Sequence, residues 1–150
     1  QFSEVEDKVQ RTYLAMIKNL DDQIGRLLKT LDSLGLEKNT MIFFLSDNGG
    51  ASYNGTTDNY PYRGGKLTNF EGGIRVPMML QWKGKIKQEI IFQQPVISLD
   101  IFSTVCAAAG AVLPKDRVYD GVDLFPFMTS PPALLPIGCG EGSAPAKAEG

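Results

Sequence analysis

At 150 residues with a formal net charge of -2, the chain has the length of one domain able to bury roughly two thirds of its unfolded surface, and no basic excess to grip nucleic acid. It contains no His, which removes the commonest general acid or base from any chemistry confined to this chain, and its two cysteines, Cys106 and Cys139, are too few for a disulfide framework or a zinc site. No apolar run approaches the ~20 residues of a membrane span and no secretory h-region opens the sequence, which starts without Met in mid-pattern and reads as a piece of something longer.

From residue 3 to residue 34, Val9, Tyr13, Ile17, Leu20, Ile24, Leu27, Leu31 and Leu34 fall at alternating steps of three and four, which predicts one long amphipathic helix. Ser3 with Glu6 forms a capping box at its start, and Gly35 a cap at its end. The seven-residue spacing also suits a coiled coil. Gly25, which would let a neighbouring backbone come close, and the strand signals after Gly35 favour packing on a sheet.

Residues 40–46 are apolar in succession, as in a strand covered on both faces, and end in Asp47-Asn48-Gly49-Gly50. Helix, turn and buried strand make an α/β pattern, in which ligands gather beyond the carboxyl ends of strands. Residues 50–65 have no period and read as a long loop of the kind that usually carries function. Glu71 and Arg75 are expected to pair, with Gly72-Gly73 between them forming a tight bend instead of a helix. A second strand follows over 78–82, then a turn at Lys83-Gly84-Lys85 and a short extended segment over 90–96. A helix over 99–109 is capped by Ser98 and stopped by Gly110, with Cys106 buried on it. Residues 119–124 read as a turn leading to an apolar patch that runs to Met128. Residues 129–150, rich in Ala, Gly and Pro, are expected to form a disordered tail to the domain of residues 1–128.

The chemistry concentrates in residues 40–77. Asp47 and Asn48 offer adjacent carboxylate and amide oxygens, the donor type of a hard cation such as Ca²⁺ or Mg²⁺, although two side chains do not complete a shell of six or more. Asp-Asn-Gly-Gly is equally good turn chemistry. Lys66 follows two glycines that let backbone pass close to a ligand, and its ammonium is a compact charge suited to a tetrahedral oxyanion; it is also what a solvated loop lysine looks like. Arg63 either assists the anion or pins the loop. Tyr53, Tyr60 and Tyr62 either line a sugar-sized pocket or, as preferred here, anchor the loop. Asp58 and Asp100 have no evident partner.

The ordered set Leu20-Asp21-Asp22-Gln23-Ile24-Gly25-Arg26, Ser46-Asp47-Asn48-Gly49, Arg63-Gly64-Gly65-Lys66, Glu71-Gly72-Gly73-Ile74-Arg75-Val76-Pro77, Asp100 in a helix, and Gly121-Val122-Asp123-Leu124 resembles the later half of the catalytic domain of the type I sulfatases. These are the arylsulfatase and glycosaminoglycan-sulfatase branch of the alkaline phosphatase superfamily, and the match spans residues 10–128. The resemblance implies part of a sandwich with a central mixed sheet flanked by helices, its N-terminal half missing. It implies hydrolysis of a sulfated carbohydrate or aryl sulfate by a formylglycine nucleophile and a Ca²⁺ ion, with Asp47 and Asn48 as metal ligands, Lys66 as the lysine on the sulfate and Arg63 beside it. An exported or lysosomal location is usual for such enzymes.

The Cys/Ser-x-Pro-x-Arg motif that yields formylglycine does not occur here, nor do the family's earlier aspartates and histidines. The chain alone is therefore expected to be inactive and to need the N-terminal half of the domain. Two rivals stay open: a phosphatase or phosphodiesterase of the same superfamily, and a non-catalytic module binding an anion or a partner.

Overall fold

The computed structural model describes residues 2–129, so the expected tail over 130–150, Cys139 included, lies outside the described residues. The chain divides into two compact units, Gln1–Ile86 and Lys87–Gly150.

The first unit opens with helix α1, Lys8–Ser33. Its N-cap is Asp7, whose Oδ1 accepts the Gln10 N–H at 2.7 Å, and not the expected Ser3-Glu6 box. Arg11 explains the difference: its Nε donates to the Val5 carbonyl at 2.7 Å, and the Val5 N–H donates to the Phe2 carbonyl, which folds residues 2–6 into a turn outside the helix. The C-terminus follows expectation. Gly35 takes φ +67, its N–H reaches the Asp32 carbonyl and the Leu36 N–H reaches the Leu31 carbonyl, the paired bonds of a Schellman stop.

Strands β1, Ile42–Leu45, and β2, Met78–Gln81, pair antiparallel with Phe43 opposite Leu80 and Leu45 opposite Met78. The expected burial of β1 on both faces is not met, because Phe44 and Leu45 stay exposed. A ribbon of two strands about 4.8 Å apart is too narrow to seat a helix, so the expected packing of α1 on a sheet is also not made among the described residues, and no side chain of α1 is buried. Gly25 has nothing within 4 Å of where a Cβ would stand. The ribbon is instead tied to the short 3₁₀ turn Glu37–Asn39. The Trp82 indole N–H donates to the Lys38 carbonyl at 2.9 Å, and the Lys83 ammonium sits between Glu37 and Asp32. The bond to Glu37, more than the nearby charges, raises the Lys83 pKa above the ordinary lysine range.

In the second unit α3, Leu99–Ala108, ends at Gly110, φ +66, as expected. Ser98 makes no capping bond; the Asp100 carboxylate takes that role, its Oδ2 accepting the Ile97 N–H at 2.8 Å. Its Oδ1 accepts the Val122 N–H at 2.9 Å, the Thr104 hydroxyl accepts the Leu124 N–H at 2.9 Å, and the Ser103 hydroxyl donates to the Gly121 carbonyl at 2.8 Å. Three polar side chains on one helix face thus lace down residues 121–124, which run without the expected turn. The apolar patch beyond them is helix α4, Phe125–Thr129. Residues 90–96 form no strand, and Cys106 is only partly buried.

Leu124, 2% exposed, is the one hydrophobic side chain counted as buried among the described residues. A core of the expected size is absent from them.

Candidate functional site

Residues 46–77, between β1 and β2, fold back on themselves as a cluster of backbone segments. As β1 ends, the Ser46 hydroxyl donates to the Asn48 carbonyl at 2.7 Å and the Gly49 N–H donates to the Gly73 carbonyl at 2.8 Å. Gly49 lies so close to Gly72 that a Cβ would overlap the Gly72 carbonyl, and Gly65, Gly72 and Gly73 are equally hemmed in by backbone oxygens. Glycine is required here by contact, since nothing larger leaves the segments room to touch.

The segment over 63–66 joins the turn over 47–50 through the Lys66 N–H, which donates to the Gly50 carbonyl at 3.0 Å. Asn59 completes the junction: its Oδ1 accepts the Gly50 N–H at 2.9 Å, and its Nδ2 donates to the carbonyls of Gly50 and Gly64 at 3.0 and 3.1 Å. The Gly65 N–H donates to the Thr68 hydroxyl at 3.1 Å, and that hydroxyl is also within donating distance, 2.8 Å, of the Gly65 carbonyl. The Thr57 hydroxyl is buried against Gly50 with no hydrogen-bond partner among the described residues.

The two sequence-predicted groups therefore sit on hydrogen-bonded neighbours. Asp47 is exposed; Asn48 is half-buried, its Nδ2 donating to the Gly49 carbonyl at 2.8 Å, while its Oδ1 has no hydrogen bond among the described residues. Lys66 is exposed, and among the described residues neither it nor Asp47 has an ion-pair partner. The Arg63 guanidinium lies 4.1 Å over the Phe70 ring, and the Gly72 N–H donates to its carbonyl at 2.8 Å, so Arg63 pins the loop. Glu71 and Arg75 pair at 3.8 Å as expected, on the short helix α2, Glu71–Ile74, where a bend was expected. The two glycines adopt helix because that single turn brings Gly72 and Gly73 against residues 63–68 and aims Arg75 at Tyr62, 4.6 Å from its ring centroid. Tyr62 anchors the loop through Arg75, whereas Tyr53 and Tyr60 are exposed. Asp58 accepts the Tyr60 N–H at 2.9 Å.

Among the described residues no three His, Cys, Asp or Glu side chains gather in a metal-binding group. Asp47 and Asn48 nonetheless fit a hard cation in donor type, two oxygens at the mouth of a fixed turn, and they account for only part of its shell.

The profile of the Sulfatase family matches residues 1–111, and about three quarters of the chain aligns at 41% identity with the steryl-sulfatase of Rattus norvegicus and, equally, with the N-acetylgalactosamine-6-sulfatase of Mus musculus. The chain belongs to the sulfatase family. It spans 21% and 22% of those two relatives. Among solved structures, the Ps i-CgsB complex with k-i-k-neocarrahexaose superposes with a TM-score of 0.77 at 34% identity, over 83% of this chain and 28% of that one. The PsFucS1 sulfatase from Pseudoalteromonas sp. gives a TM-score of 0.65 at 33% identity, over 75% and 23%. The fold class that the resemblance implied, an α/β portion of the alkaline-phosphatase-like sulfatase domain, is the one these structures share. No helix among the described residues is long and apolar enough to cross a membrane.

Asn59, Thr68 and Phe70, which hold this cluster together, were not singled out from the sequence. Asn59 ends the polar run Thr56-Thr57-Asp58-Asn59, which signals a loop but not the partners of its carboxamide.

Proposed function

We propose that this chain forms part of a sulfatase that hydrolyses sulfate esters, and that residues 46–77 hold a divalent cation beside the sulfate group. Asp47 and Asn48 would ligate the cation, for which Ca²⁺ fits the hard oxygen donors. Lys66 would contact the sulfate, with Arg63, steadied on Phe70, adding positive charge beside it. The observation that carries the reading is the bond from the Lys66 N–H to the Gly50 carbonyl, which joins the cation's turn to the anion's loop. When bound, the cation supplies charge neutralisation for the oxygens of the reacting group. Lys66 would act on the same developing charge, and its ammonium, free of ion pairs among the described residues, has no rival anion to leave.

The nucleophile is assigned to a part of the domain outside these residues: Cys106 is followed by Ala107-Ala108 and Cys139 by Gly140-Glu141, neither of which fits Cys-x-Pro-x-Arg. The chain alone is then inactive. The relatives' names span a sterol and an amino sugar, so they narrow the substrate no further than a sulfate ester; the motif resemblance is what favours a sulfated carbohydrate or aryl sulfate.

The test replaces the matching segment of N-acetylgalactosamine-6-sulfatase with residues 1–128 and assays aryl sulfate and aryl phosphate in parallel. The expected chimera is a sulfatase whose kcat/KM falls about 10²-fold with Lys66→Ala. Asp47→Ala raises the Ca²⁺ concentration it needs. An active chimera indifferent to both substitutions sinks the assignment, and one that prefers phosphate sinks the reaction class.

A further inference from the structure

Asn59 makes three hydrogen bonds with one carboxamide, and they go to both halves of the site. Gly50, three residues beyond Asp47, has both its N–H and its carbonyl taken by this side chain, as if by a neighbouring strand. Gly64, two residues before Lys66, gives its carbonyl to the same Nδ2. The Gly50 carbonyl also receives the N–H groups of Ser52 and Lys66, so Asn59 and Lys66 meet on one oxygen of the turn. A shift of either segment breaks bonds to the other.

We infer that Asn59 is the positioning residue of the site: its carboxamide fixes the spacing between the Asp47-Asn48 turn and the Lys66 loop, so that cation and sulfate affinities depend on a side chain that touches neither ligand. The inference rests on the sulfatase reading of these residues. Asn is the side chain that suits the role, because the junction needs one acceptor and two donors within a single short group. Asn59→Asp keeps the shape and the acceptor but turns an oxygen toward the carbonyls of Gly50 and Gly64, which pushes the segments apart. Asn59→Ala removes all three bonds without adding charge.

The experiment uses the full 150-residue chain, following backbone amides by NMR during titration with Ca²⁺ alone and with inorganic sulfate alone, together with amide hydrogen exchange. In both Asn59 variants the Gly50 and Lys66 amides are expected to exchange at least tenfold faster. The Val122 and Leu124 amides, in the other unit, keep their rates, which separates local loosening from unfolding. Both Ca²⁺ and sulfate bind at least tenfold more weakly. The joint loss is diagnostic, because the charge added by Asn59→Asp alone would favour Ca²⁺ while opposing sulfate. Thr57→Val, which touches the same Gly50 but bridges nothing, leaves both affinities unchanged. Unchanged exchange in the Asn59 variants, or faster exchange with unchanged affinities, overturns the inference while leaving the site intact. A wild-type chain that binds neither ligand overturns the reading of the site and the inference with it.

Discussion

Glycines that are alike in sequence divide by what surrounds them. A methyl group at Gly49 would strike the Gly72 carbonyl, and backbone cannot rotate aside as a long side chain does. Gly49→Ala is expected to cost about 3 kcal/mol, an overpacking effect, in urea denaturation. Gly25 is the opposite case, in mid-helix with nothing within 4 Å, and Gly25→Ala should raise stability by about 1 kcal/mol in the same measurement. The reverse order of the two would mean that the 46–77 cluster is looser than described. Asp47, Asn48 and Lys66 were nominated from the sequence by the sulfatase-like order of their motifs, since by themselves the same residues suit a turn and a solvated lysine. Asn59 was not, since its partners are main-chain atoms of residues 50 and 64, and main chain leaves no mark in the letters. Arg63 stayed ambiguous for a different reason: the ring that holds it, Phe70, is seven positions away and signals nothing by itself.

Elements fared unevenly according to how local their causes are. The period of α1 and the stop at Gly35 rest on neighbours in sequence and were legible; its start was misread because Arg11 reaches back to Val5 and competes with the Ser3-Glu6 box. The cap of α3 was misassigned because Asp100 serves two masters, the helix start and residue 122, and the second is distant. That double duty is testable. Asn in place of Asp100 must present an NH₂ to one of two N–H donors, so Asp100→Asn is expected to destabilise by about 1–3 kcal/mol, read from the denaturation midpoint of the second unit, and a neutral result would unseat the clamp. The tie between the β-ribbon and the turn Glu37–Asn39 has a pH signature. Lys83 has its pKa raised by Glu37, so its contribution is complete below the ordinary lysine range and is lost as pH rises through the raised value. The midpoint difference between wild type and Lys83→Ala should stay constant from neutral pH to mildly alkaline pH, close above that, and shrink in 1 M salt. A difference that grows with alkalinity would contradict the pairing.

Across the whole chain the pattern of apolar residues was read correctly and their burial was not, because periodicity says which face is apolar and never what covers it. Ile17, Leu20 and Leu27 line one helix in good order and stand 46%, 47% and 56% exposed, while Leu124 alone among the described hydrophobic residues is buried. The chain spans little more than a fifth of its sulfatase relatives, and its fold is held by hydrogen bonds and glycine contacts more than by oil. That has a thermal consequence. Heat-capacity change on unfolding comes from newly wetted apolar surface, at about 12–15 cal/mol/K per residue in ordinary domains. Among the described residues many large apolar side chains are wet already, so calorimetry of the 150-residue chain should return a value well below that range, and a broad, low endotherm. A sharp transition with an ordinary heat-capacity step would mean that the apolar face of α1 finds cover in solution. Stability should accordingly vary little with temperature, curving gently where a well-filled domain peaks.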